Sequence, residues 1–128
     1  MKTGFISSRS SLNHDTGDGH PENKYRIQSI LERLKKKNFP ALEWSEPNNF
    51  DEAYLKKTHN SLYIDEVKKA FPKKGQFFLD GDTVISPGSK EASYDAVSSI
   101  ISAVDSVKNN KLKNAFCAVR PPGHHAEY

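Results

Sequence analysis

The order of apolar and polar positions divides the chain into alternating strands and helices. Thr3 to Ser7 (TGFIS) predicts a short strand. A polar stretch follows, Ser8 to Glu22 (SRSSLNHDTGDGHPE), too long for a simple connector. Loops of that length in compact domains carry function or stay disordered. Pro21 stands where helices favour proline, Glu22 lies in the first turn, and Ile27, Ile30, Leu31 and Leu34 recur at i, i+3, i+4 and i+7. The spacing predicts a helix over 21–37, ended by Asn38 and Pro40. Residues 41–44 (ALEW) predict a second strand, and residues 50–70 two short helices, the first carrying Ala53, Tyr54 and Leu55, the second Leu62, Tyr63, Val67 and Ala70. FFLDGDTVISPGS (77–89) reads mostly as loop around an aromatic anchor.

A long helix is predicted over 89–107. Its small-residue face, Ala92, Ala96, Ser99 and Ala103, would let it lie close on a sheet, with Val97, Ile100, Val104 and Val107 adding apolar bulk beside it. Residues 115–119 (AFCAV) are apolar at every position, as expected of a central strand covered on both faces. Strands alternating with helices imply a parallel α/β sheet, and in such sheets ligands bind beyond the carboxyl ends of the strands. Pro121 and Pro122 cannot continue the ladder and Gly123 permits a sharp turn, so His124 and His125 are expected at that edge.

Composition changes this picture in one respect. Apolar residues with glycine make up about 37% of the chain, against about 45–50% in ordinary soluble domains. Trp44, seven Phe and five Tyr argue against disorder, so the deficit implies that the most apolar part of the fold lies elsewhere. The net charge is +3, with 19 basic and 16 acidic residues spread along the chain, and the short basic clusters, Lys35 to Lys37 and Lys56–Lys57, read as solvated faces rather than a nucleic-acid stripe. Single Cys117 cannot form an internal disulfide and reads as an inert thiol in a strand, which fits a reducing, cytoplasmic setting. No apolar window approaches a membrane span.

RPPGHHA (120–126), placed directly after an apolar strand, closely resembles the active-site motif of the histone deacetylase superfamily, especially its class II-like and bacterial members. Three further segments match in the family's order. GHPEN with Arg26 resembles the early His-Pro-Glu…Arg loop. AYLKKTHNSLY resembles the Leu…His-Ser…Tyr helix pair, with Asn60 interposed between His59 and Ser61. LDGDTVISPGSKEA resembles the Asp-Thr…Ser segment before the long helix. Arginase-type hydrolases share the general fold, but RPPGHHA is not among their manganese motifs.

The resemblance implies an α/β, three-layer parallel-sheet arginase/deacetylase-like fold, with these residues as the N-terminal part of its domain. It implies amide hydrolysis by a metal-bound water, with His125 as general base and His124 as its electrostatic or proton-shuttling partner. An unperturbed imidazole, near pKa ~6.5, suits that task at neutral pH. Arg26 would border the internal cavity and handle the acetate product; a helix-surface ion pair is its other reading. Asp82 would sit on the rim and accept peptide N–H bonds, or simply form the Asp-Gly-Asp turn. His20 and His14 would shape the rim, or serve in helix capping or face solvent. His59 and Tyr63 read as structural.

The family's zinc ligands, the carboxylates that orient the histidines, and the tyrosine that polarises the carbonyl all come from later motifs, so no metal ligand is expected within this chain. The expectation is a zinc-dependent deacetylase acting on acetylated protein or small acyl amides, cut just past its first catalytic motif. The alternative is a stand-alone, non-catalytic binding or pairing module. In either case the edge of strand 115–119 is expected to favour self-association.

Overall fold

A computed structural model describes all 128 residues. In chain order the elements are β1 (Thr3–Ile6), α1 (Lys24–Lys37), β2 (Leu42–Ser45), α2 (Ser61–Ala70), β3 (Phe77–Phe78), β4 (Val84–Ile85), α3 (Ser89–Lys108) and β5 (Asn114–Cys117). Single 3-10 turns occupy Arg9–Leu12 and Glu52–Lys57. The main sheet has the order β2-β1-β5, and both pairings are parallel, as the strand–helix alternation requires.

The register sets Phe5 opposite both Trp44 and Phe116, so three aromatic side chains share one sheet face. The Phe5 ring lies 4.5 Å from that of Trp44 and 5.9 Å from that of Phe116. Helix α1 closes this face by packing Ile27 against Phe5 and Ala118, with Ile30, Leu31, Leu34 and Leu42 partly buried around them. Burial of side chains such as Phe5 and Ile27 contributes roughly 1.5–3 kcal/mol each. The opposite face is covered by α3, whose Ala92, Ser99 and Ala103 are buried. The half-buried Cys117 thiol reaches that helix, donating to the Ser99 carbonyl at 3.5 Å. Small residues let α3 approach closely, and the result is three layers: helix, sheet, helix.

Several local expectations are corrected. Helix α1 begins at Lys24, not at Pro21, with the Asn23 side chain accepting from the Tyr25 N–H at 3.1 Å. The Glu22 backbone is committed to the preceding loop: its N–H donates to His20 Nδ1 (3.0 Å) and its carbonyl accepts from the Thr16 hydroxyl (2.7 Å). At the other end Asn38 adopts a left-handed conformation, φ 44°, which stops the helix where expected. The segment read as loop contains an antiparallel hairpin, β3 with β4, pairing Phe77 with Ile85 and Phe78 with Val84. The first of the two short helices is a 3-10 turn capped by Asp51.

The apolar strand β5 is an end strand of this three-stranded sheet, the open edge expected of strand 115–119, and Phe116 is 55% exposed. Helix α1 covers Phe5 and Ala118 but leaves Phe116 open. The apolar bulk of α3 also points outward, with Ile100 52% and Val104 58% exposed. No helix is long and apolar enough to cross a membrane.

Candidate active site

The carboxyl ends of β1 and β5 open at the same edge of the sheet, and their loops are tied together there. The Ala118 N–H donates to the Ile6 carbonyl (2.9 Å) and the Ser7 hydroxyl to the Ala118 carbonyl (2.9 Å). Gly88, just before α3, brings that helix start against the first loop. A Cβ at this position would sit 2.3 Å from the Asn13 carbonyl oxygen, so only glycine allows the approach.

Beneath the loops lies a buried polar network. Arg120 continues the in–out alternation of Phe116 and Ala118 and points under the first loop, only 2% exposed. Its Nε donates to Glu22 Oε1 (2.7 Å) and its Nη2 to Glu22 Oε2 (3.0 Å) and the Glu22 carbonyl (3.4 Å). Nη1 donates to the carbonyls of Ser11 (2.7 Å) and His14 (2.9 Å). All five guanidinium N–H groups therefore have acceptors, the condition under which a charge can be buried. His14 is buried behind Glu22, with Nε2 3.6 Å from Oε2 and Nδ1 2.6 Å from the Ser89 hydroxyl. Ser89 Oγ in turn accepts from the Ser86 N–H at 2.7 Å. Burial acts to raise the Glu22 pKa, but the His14 ring and the Arg120 guanidinium outweigh it and hold the carboxyl at about 2.

The residues singled out from the sequence sit above this layer, around an open cavity of about 890 Å³. His124 and His125 follow the Gly123 turn (φ 78°), their rings 4.6 Å apart, and both line the cavity. His125 Nε2 lies 3.9 Å from Asp82 Oδ2, a contact between half-exposed and exposed side chains. The Asp82 carbonyl accepts from His20 Nε2 at 2.9 Å while His20 Nδ1 takes the Glu22 N–H, so His20 joins the β3–β4 turn to the first loop. Arg26, in the first turn of α1, lines the cavity with its side chain 65% exposed and Nη1 4.0 Å from Glu22 Oε1. His14 is not at the rim; it belongs to the buried network. Glu22 and Arg120 as a pair were not anticipated. The available signal was an arginine continuing an apolar strand, since a charge in that position needs a buried carboxylate nearby.

The one gathering of metal-ligating side chains is Asp80, Asp82 and His125, all exposed, with one donor atom each within 4.8 Å of the others. Asp80 is already occupied: Oδ1 accepts from the N–H groups of Asp82 (3.0 Å) and Thr83 (2.7 Å), and Oδ2 from the Thr83 hydroxyl (2.8 Å). These bonds, that from the Asp82 backbone foremost, hold the Asp80 carboxyl down at about 2. Two free donors remain, short of the three protein ligands of a catalytic zinc. The residues of this chain do not fit that metal on their own.

A model of the histone deacetylase domain matches residues 20–128. The chain belongs to the histone deacetylase family. An uncharacterized protein of Synechocystis sp. is 35% identical over 129 residues, covering 95% of this chain and 41% of that one. Histone deacetylase 5 of Arabidopsis thaliana is 30% identical over 138 residues (98% of this chain, 20% of that one), and a histone deacetylase-like amidohydrolase of Pseudomonas aeruginosa 32% over 111 residues (82% and 27%). The crystal structure of the HDA15 HD domain superposes with a TM-score of 0.85 at 23% identity, over 98% of this chain and 37% of that one. The chain thus has the α/β deacetylase-like fold and spans less than half the length of these relatives.

Proposed function

We propose that these 128 residues form the N-terminal portion of a zinc-dependent deacetylase or amidohydrolase domain and supply its tandem histidines. The observation that carries this reading is the His124–His125 pair lining the cavity at the carboxyl edge of the sheet, in a chain of the deacetylase family. Zinc dependence is part of the proposal, with the ligands supplied by residues outside this chain; a bound zinc would acidify the attacking water. His125, with a ring nitrogen open at the cavity, would accept a proton from an attacking water and return it to the leaving amine, and His124 would stabilise the charge that develops beside it. Asp82, exposed on the rim, accepts N–H bonds from the substrate, and Arg26 at the cavity margin pairs with the released carboxylate. His20 positions the Asp82 turn. The substrate class is acetylated protein or a small acyl amide.

The open edge of β5 and the exposed Phe116 support a second part of the proposal: the isolated chain self-associates through this strand. A stand-alone pairing module would share that surface but need no catalysis. The deciding experiment is to read the coding sequence past Tyr128 and assay the longest product on acetyl-lysine peptide, with and without a zinc chelator. Chelator-sensitive hydrolysis by the longer product, and none by the 128-residue chain, is expected. Absence of any continuation, or hydrolysis indifferent to His125→Ala, would overturn the reading.

A further inference from the structure

The histidine loop is tethered at its front by Arg120, and the structure shows a second tether behind it. His59 Nδ1 lies 2.5 Å from the Glu127 carbonyl oxygen, and the Tyr63 hydroxyl receives the Glu127 N–H at 3.1 Å. A carbonyl can only accept, so Nδ1 of His59 carries the proton. One residue's N–H and C=O are thus both taken by side chains four positions apart, His59 just before the Asn60 cap of α2 and Tyr63 in its first turn, whose rings are 5.6 Å apart. Both rings are half-buried while Glu127 itself is exposed. An exposed backbone amide would otherwise bond to water, so this pairing selects one path for the chain rather than rescuing a buried group. Within the loop, the one backbone bond is the Ala126 N–H to the Gly123 carbonyl, at 3.0 Å.

We propose that His59 and Tyr63 are positioning residues for the proposed catalytic pair: by clamping Glu127 they fix the stretch from Gly123 to Glu127 and so the directions of the His124 and His125 rings. Neither side chain touches substrate in this role. The inference rests on the deacetylase reading for what the loop does, but its test does not use turnover, so the two can fail separately.

The test is NMR of the 128-residue chain with labelled histidines, comparing wild type with Tyr63→Phe, His59→Ala and His59→Asn. The wild type should show His59 as the Nδ1–H tautomer. Loss of one hydrogen bond should speed Glu127 amide exchange about five- to tenfold in Tyr63→Phe and in His59→Ala. In both, the His124 and His125 ring shifts should move toward those of a free histidine. Asparagine can present a donor near the Nδ1 position, so His59→Asn should keep the wild-type ring shifts, which a purely packing role would not predict. The Arg120 Nε–H signal, reporting the front tether, should not change. If His59→Ala melts α2, Tyr63→Phe decides alone. Unchanged ring shifts and exchange in Tyr63→Phe, or an Nε2–H tautomer at His59, would overturn the proposal.

Discussion

Arg120 and His125 stand five residues apart on one loop, yet they live under opposite rules. Arg120 is 2% exposed and every N–H it owns is spent on an acceptor. His125 is 46% exposed in its side chain, with one long contact, 3.9 Å, to Asp82. A fully partnered charge has nothing left to offer a substrate; its work is to hold the first loop, the start of α1 and the strand end in one arrangement. A ring with open nitrogens at a cavity contributes little to folding and keeps its chemistry available. On the proposed function, the lower layer carries stability and the upper layer carries the chemistry.

That division can be broken most sharply at His125. In a complete domain, His125→Ala should lower kcat by about 10²–10⁴-fold, as for loss of a positioned base, with zinc content and melting temperature unchanged. Loss of zinc would make the histidine a ligand; a large drop in Tm would move it into the structural layer.

Arg120→Ala should do the reverse. Removing one partner of a buried ion pair leaves Glu22 uncompensated and typically costs about 3–5 kcal/mol. Urea unfolding of the 128-residue chain checks this, and a change within about 0.5 kcal/mol would show that the lower layer is not what holds the loops.

Acid should reach the same pair. The Glu22 pKa falls from the ordinary 4.5 to about 2 on folding. A depressed folded pKa gives stability that is present above the unfolded value and lost as pH falls through the folded one. This contribution is lost as pH falls between about 4.5 and 2. Glu22→Gln should be less stable at neutral pH and lack this part of the acid dependence, measured by urea melts across that range.

The smallest stability effects belong to the exposed side chains. Asp82→Asn and Phe116→Lys should each change stability by less than about 0.5 kcal/mol. Phe116→Lys should nevertheless shift the chain toward monomer in light scattering, because a charge on an edge strand opposes pairing. A wild-type chain that is already a monodisperse monomer would remove the self-association proposal.

The parallel sheet, its two covering helices and the delivery of His124 and His125 to the carboxyl edge were legible in the sequence. Apolar periodicity and the Pro-Pro-Gly stop are local properties, and they act through neighbours a few residues away. Helix α3 was placed within a residue of its ends, and α1 missed only where the Glu22 backbone was drawn into the first loop. What the sequence could not determine depended on distance along the chain. Glu22 and Arg120 are 98 positions apart and His14 and Ser89 75 apart, so the first pair exists only once β1 and β5 lie side by side, and the second only once the start of α3 lies against the first loop. AFCAV reads as covered on both faces because its pattern reports how apolar a segment is; only the packing of α1 over Phe5 and Ala118, and not over Phe116, leaves the Phe116 ring open. His59 and Tyr63 share that logic: their spacing suggests one helix turn, the helix in fact starts after His59, and the tertiary fold alone brings the Glu127 backbone to both.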